Sequence, residues 1–140
     1  MNNKKRKFKL VTDEIVEAIH KMKYCSQDGV PNDQKKVIAR YYIRKFATKG
    51  NALVISEHGH WLVLEDSMFD TPSSEFANGF GKVVFGAVDL GQGLELGDFS
   101  IEELEFLDIP NTVVVMDTSF KPLEITVGEL RKQYDIDWMV

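Results

Sequence analysis

Several things are scarce in this sequence, and each scarcity removes a class of protein. Cys25 is the only cysteine in 140 residues. No disulfide can form within the chain, so a disulfide-stapled scaffold is excluded and a reducing compartment is expected. No apolar run reaches the eighteen or so residues that a membrane span requires. The opening Met1-Asn2-Asn3-Lys4-Lys5-Arg6-Lys7 is not followed by an apolar segment of signal-peptide length. The expectation is a cytoplasmic protein that does not engage a membrane. Histidine occurs three times, at His20, His58 and His60, and no second His or Cys pair has metal-ligand spacing. No serine sits in a nucleophile-elbow pattern. Gly91 and Gly93 lack a third glycine at position 96, which is Leu96, so the dinucleotide-binding fingerprint fails. Cys25 and His20 are five apart, a poor spacing for one helix face, so no activated thiol is indicated. No cofactor is implied.

What is present is an ordinary globular composition, 44% apolar and 28% charged. The length suits one domain with its own core. We expect a basic, mobile lead-in over 1–10 and a single α+β domain over 11–140. The net charge of −5 hides a segregation. Residues 1–50 carry 13 Lys and Arg against 5 Asp and Glu, a net of +8. Residues 51–140 carry 4 against 17, a net of −13. Separated charge of this size produces a strong local field and selects partners.

Thr12 reads as an N-cap, with Asp13 and Glu14 in the first turn and Val11 and Val16 as a hydrophobic staple. A helix is predicted over 13–24. After a loop at 26–31, a second helix is predicted over 33–48 and closed by Gly50. Ile38, Tyr42 and Phe46 would form its apolar face and Lys36, Arg40 and Arg44 its basic face. From residue 52 the pattern becomes strand-like. Residues 52–57 and 60–66 read as a hairpin turning at His58-Gly59. A further strand is expected over 82–90, then a helix over 101–107 opened by Ser100 and Glu103. A strand at 113–116 with a mate at 123–125 follows, then a helix over 127–134. The predicted architecture is an N-terminal helical pair on a mainly antiparallel sheet with two short C-terminal helices.

Three candidate sites emerge. Acidic residues Glu102, Glu103, Glu105 and Asp108 crowd one short helix and suit a basic partner. Lys36, Arg40, Tyr41, Arg44 and Lys45, with the lead-in lysines, suit a phosphate backbone or a smaller anion. His58 and His60 form a metal pair only if both lie on one strand face, with Glu57, Asp66, Asp70 or His20 completing the set of a metal-dependent hydrolase or ligand-binding protein. Asp117-Thr118-Ser119 follows an apolar strand, where catalytic aspartates sit, but these residues are equally ordinary turn formers. No enzyme signature stands above background. The leading expectation is therefore a non-enzymatic regulatory or inhibitory protein that binds another macromolecule, a protein first of all, through its charged surfaces. The alternatives are nucleic-acid binding by the basic third and chemistry at His58 and His60. Opposite charge in the two halves also allows self-association.

Overall fold

In a computed structural model, residues 8–67 and 83–139 are described. Helix α1 (Asp13–Lys21) opens where expected: the Thr12 hydroxyl accepts from the Ile15 amide at 3.2 Å. Ile15, Ala18 and Ile19 are its buried stripe. Of the lead-in expected over 1–10, residues 1–7 lie outside the described residues. Leu10 is buried, and the Phe8 amide donates to the Glu105 carbonyl at 3.1 Å.

The second helix does not form. After a 3-10 turn (Asn32–Gln34) the chain enters strands β1 (Lys36–Val37) and β2 (Ala39–Lys49). The four-residue spacing of Ile38, Tyr42 and Phe46 satisfies a helix and, being even, a strand equally. The run Tyr41-Tyr42-Ile43 through Phe46 is aromatic and β-branched, and such residues fit a pleated surface. Partners on both sides decide the matter. Strand β2 pairs with β3 (Ala52–Asp66) and with β6 (Thr112–Met116), both antiparallel.

The expected hairpin at His58-Gly59 is also corrected. Strand β3 runs unbroken through both residues. The turn lies earlier, at Gly50-Asn51, flanked by the pair Lys49 and Ala52. Gly50 holds φ +65°, the left-handed conformation that a glycine opening a tight hairpin turn supplies without steric cost. Pairing jumps from Ile43 opposite His58 to Tyr41 opposite Trp61. One extra residue is thus accommodated on β3, and Gly59, at φ +76°, sits in this bulge. A turn at His58-Gly59 would set Glu57 opposite His60, Ile55 opposite Leu62 and Leu53 opposite Leu64, and none of these pairs forms. Glu57 stands opposite Arg44, Ile55 opposite Phe46 and Leu53 opposite Thr48.

The five-stranded sheet has the order β5-β4-β3-β2-β6, with β4 at Val83–Asp89 and β5 at Glu95–Ser100. Strand β5 was not anticipated, because its alternation is diluted by Gly97 and Asp98. Helix α2 (Ile101–Glu105) begins at Ser100 as expected. The mate expected for β6 over 123–125 is corrected. Strand β7 (Ile125–Thr126) pairs instead with β1. Helix α3 (Val127–Tyr134) carries the complete capping box, Thr126 with Glu129. The fold is α+β and mainly antiparallel, but its N-terminal part is one helix and a long strand rather than a helical pair.

Both sheet faces are covered. Ala39, Tyr41 and Val63 pack with Ile15 and Ile19 of α1 and Ile101 of α2. Leu62, Leu64 and Ala87 pack on the other side with Val127 and Leu130 of α3. Strand β3 therefore contributes to both cores by simple alternation.

Candidate functional site

The densest polar constellation centres on Arg40, which is only 2% exposed. On β2 its side chain and that of Tyr41 point to opposite faces. Its terminal nitrogen donates to Asp117 Oδ2 at 2.7 Å and to the Tyr134 hydroxyl at 3.3 Å. Its Nε donates to His60 Nδ1 at 3.1 Å. The guanidinium lies 4.5 Å from the Tyr42 ring centroid and 3.9 Å from that of Tyr134, a double cation–π stack. His60 and Tyr134 are themselves 5.4 Å apart, ring to ring. Four elements meet here: β2, β3, the end of β6 and α3.

The electrostatics follow from that geometry. Burial lowers the His60 pKa and the Arg40 charge lowers it further, against weaker opposition from Asp89 and Glu57. His60 is held neutral, with Nδ1 free to accept. Burial by itself would raise the Asp117 carboxyl, but hydrogen bonds from the Ser119 hydroxyl and amide, and then Arg40, prevail and hold it below its ordinary value. The Ser119 bonds measure 2.6 and 2.9 Å. Burial also raises the Tyr134 phenol. Each polar group of the cluster is answered by another. Chemically the arrangement is a fastening that ties β6 and α3 to the sheet. Deleting one partner of a buried ion pair of this kind costs about 3–5 kcal/mol.

A second fastening holds the loop after α1. Glu65, 2% exposed, accepts the Cys25 amide at 3.1 Å and the Gln27 amide at 2.9 Å. The Gln27 side chain in turn donates to the carbonyls of Lys36 and Leu64 and accepts from the Lys36 amide at 2.7 Å. Cys25 is exposed, and burial of its thiol environment is the first cause of a raised pKa.

The predicted basic face is dispersed. Arg40 and Tyr41 are buried, and the Tyr41 hydroxyl donates to the Leu10 carbonyl at 2.5 Å. Arg44 pairs with Glu57 at 3.1 Å. Lys36 lies on β1, away from Lys45, which is exposed on β2. The same Arg40 that was a candidate anion ligand spends its donors on Asp117, Tyr134 and His60. The acidic cluster is split as well. Glu105 is 1% exposed and accepts the Leu10 amide at 3.1 Å. Glu102 is half-buried, whereas Glu103 and Asp108 remain on the surface.

The histidines are separated chemically. His58 is exposed and 2.8 Å from the Ser56 hydroxyl, while His60 faces Arg40. Among the described residues no group of three or more His, Cys, Asp and Glu side chains is placed to hold a metal ion. Asp70, one of the expected additional ligands, lies outside the described residues.

What sequence reasoning missed is the β2–β3 ribbon. Strand β6 pairs with β2 only over 41–45, and β4 pairs with β3 only over 60–66. Beyond Phe46, whose amide still donates to the Asn111 carbonyl at 2.9 Å, residues 47–54 therefore project as two strand segments paired only with each other among the described residues. The register sorts their faces. Phe46, Ile55, Thr48 and Leu53 lie on one face, Lys45, Ser56, Ala47, Val54, Lys49 and Ala52 on the other. Leu53, Val54 and Ile55 are 63%, 42% and 52% exposed. The signal was legible: a Gly-Asn pair between two apolar, β-prone runs.

The fold and the ribbon define an α+β protein with a sheet buried on both faces and one projecting apolar arm. No helix among the described residues is long and apolar enough to cross a membrane. No family model, curated protein or solved structure matches the chain.

Proposed function

We propose that this protein is a non-enzymatic binding protein, regulatory or inhibitory in kind, that docks another protein through the β2–β3 ribbon and the charged surface around it. One observation carries the reading: the projecting ribbon holds Leu53, Val54 and Ile55 in solvent. A two-stranded ribbon is marginal in water by itself. An apolar strand with a free edge is an attachment point for another chain unless something covers it. The polar cluster around Arg40 adds support, since its groups are spent on each other and offer a substrate little.

Lys45 and Lys49 share one face of the ribbon, which keeps nucleic acid as a second reading, because a two-stranded ribbon fits the major groove. One experiment separates them. A photo-crosslinker at position 54, and at exposed position 133 as control, is activated in lysate, and labelled DNA and RNA are titrated in parallel by anisotropy. Protein adducts specific to position 54 support the reading. Salt-sensitive nucleic-acid binding lost in Lys45→Glu/Lys49→Glu would replace it. Equal adducts from both positions would sink it.

A further inference from the structure

One long strand edge of the sheet is open, and the register says what chemistry suits it. Strand β4 pairs with β3 from His60 onward and ends at Asp89. The Asp89 carboxylate accepts the Gly91 and Gly93 amides at 2.7 and 3.1 Å and turns the chain away. Residues 52–58 of β3 therefore have no strand beside them on that side among the described residues. All seven are exposed, and an edge of that length runs for roughly 23 Å. Alternate residues along it turn an N–H and a C=O outward, the groups by which an extended chain is added to a sheet.

The two faces of this edge differ. One carries Leu53 and Ile55, beside Thr48 and Phe46 of β2. The other carries Ala52, Val54 and Ser56, beside Lys49, Ala47 and Lys45. Ala52 and Ser56 are small, so Lys49 and Lys45 reach over them toward any strand laid along the edge. Cα atoms two strands apart are about 9.6 Å apart, within the combined reach of a lysine and a glutamate. Arg44, on the apolar face, is already paired with Glu57 at 3.1 Å. Neither lysine has an ion pair among the described residues. A second copy of β3 laid antiparallel along the edge brings Ala52, Val54, Ser56 and His58 to the lysine face, none of them acidic. The carboxylates that answer the lysines have to come from a different chain.

We infer that the outer edge of β3 at 52–58 takes an extended acidic segment of a partner protein as an added antiparallel strand. Acidic residues four apart in that segment stand beside Ala52 and Ser56, where Lys49 and Lys45 reach them. The apolar residues between them stand beside Leu53 and Ile55. The inference rests on the docking reading proposed above and names the chemistry of the partner.

The peptide Thr-Glu-Val-Thr-Ile-Glu-Thr has this pattern. Labelled with fluorescein and titrated with the full chain, it tests the inference by anisotropy. A counterpart with lysine in place of both glutamates is the control. The acidic peptide is expected to bind about three- to tenfold tighter than the lysine one, with the advantage shrinking as salt rises. In Lys45→Glu/Lys49→Glu the order of the two peptides is expected to reverse at an unchanged melting temperature, since both lysines are exposed. Backbone pairing has its own signature. N-methylation of one alternate set of peptide amides is expected to abolish binding, and of the other set to leave it intact. No binding of the acidic peptide at millimolar concentration would overturn the inference. So would equal binding of the two peptides, or indifference to both sets of methyl groups. A wild type that ignores the peptide and sediments as a ribbon-dependent dimer would give the edge to a second copy instead. In each of these cases adducts to a different protein specific to position 54 would leave the docking reading standing, so the two fail separately.

Discussion

At the scale of the residue, the most consequential side chain is Arg40, and its neighbour His60 reports on it. The Arg40 Nε bond to His60 Nδ1 exists only while the ring is neutral. Burial and the Arg40 charge lower the folded-state pKa of His60 below the ordinary 6.5. Between the unfolded and folded values the unfolded chain binds more protons, so stability rises with pH there and is lost as pH falls from about 6.5. Asp117 contributes in a lower window. Its folded pKa lies below the ordinary 3.8, so its contribution is present above that value and is lost as pH falls through the folded one. His60→Asn keeps an acceptor near Nδ1 and removes the titration. Urea midpoints between pH 7.5 and 4.5 are expected to fall steadily in the wild type and to stay flatter above pH 5 in the variant. Parallel curves would assign the loss to other groups.

At the scale of the element, the long β2–β3 pair depends on a bulge that one glycine permits. Gly59 holds φ +76°, and a Cβ there would meet the Trp61 ring at 2.7 Å. Gly59→Ala therefore combines left-handed backbone strain with a side-chain clash, and a cost of about 1–3 kcal/mol is expected. Chemical denaturation measures it, and hydrogen exchange locates it. Amides of Ile43, His58 and Trp61 should exchange faster in the variant while those of α3 are unchanged. His58-Gly59 suits a turn and a bulge alike, because a tight hairpin and a glycine bulge draw on the same residue chemistry. What separates them is whether the strand finds neighbours on both sides of the glycine. Thr12, Ser100 and Thr126 were legible from sequence, because a cap is settled within four residues.

At the scale of the whole molecule, the two cores share one sheet and should unfold as one. Ile19 of α1 and Leu62 of β3, which packs with α3, are both fully buried, in the cores on opposite sides of the sheet. Ile19→Ala and Leu62→Ala are each expected to lower a single common transition by about 2–5 kcal/mol. Circular dichroism and tryptophan fluorescence should trace the same curve. Two separable transitions would mean that the faces fold independently. The segregation of charge along the chain also acquires its meaning at this scale. Arg40 reaches Asp117, 77 residues away, and Arg44 reaches Glu57, so part of the basic and acidic excess is consumed inside one molecule. Arg131 with Asp33, 98 residues apart, instead joins the minority charges of the two parts.

The sequence by itself determined the α+β class, the first helix with its cap, the two short C-terminal helices, and strands close to β4 and β6. Those features rest on local chemistry: caps, staples and short-range periodicity. Only the tertiary structure decided that 39–49 is a strand, that β3 runs through His58-Gly59, and that Arg40 and Glu105 face inward. In each case the residues nearby suit two conformations or two exposures. The choice falls to distant partners, namely β6 beside β2, β4 beside β3, Asp117 beside Arg40 and the Leu10 amide beside Glu105. Local patterning is silent about contacts that span most of the chain.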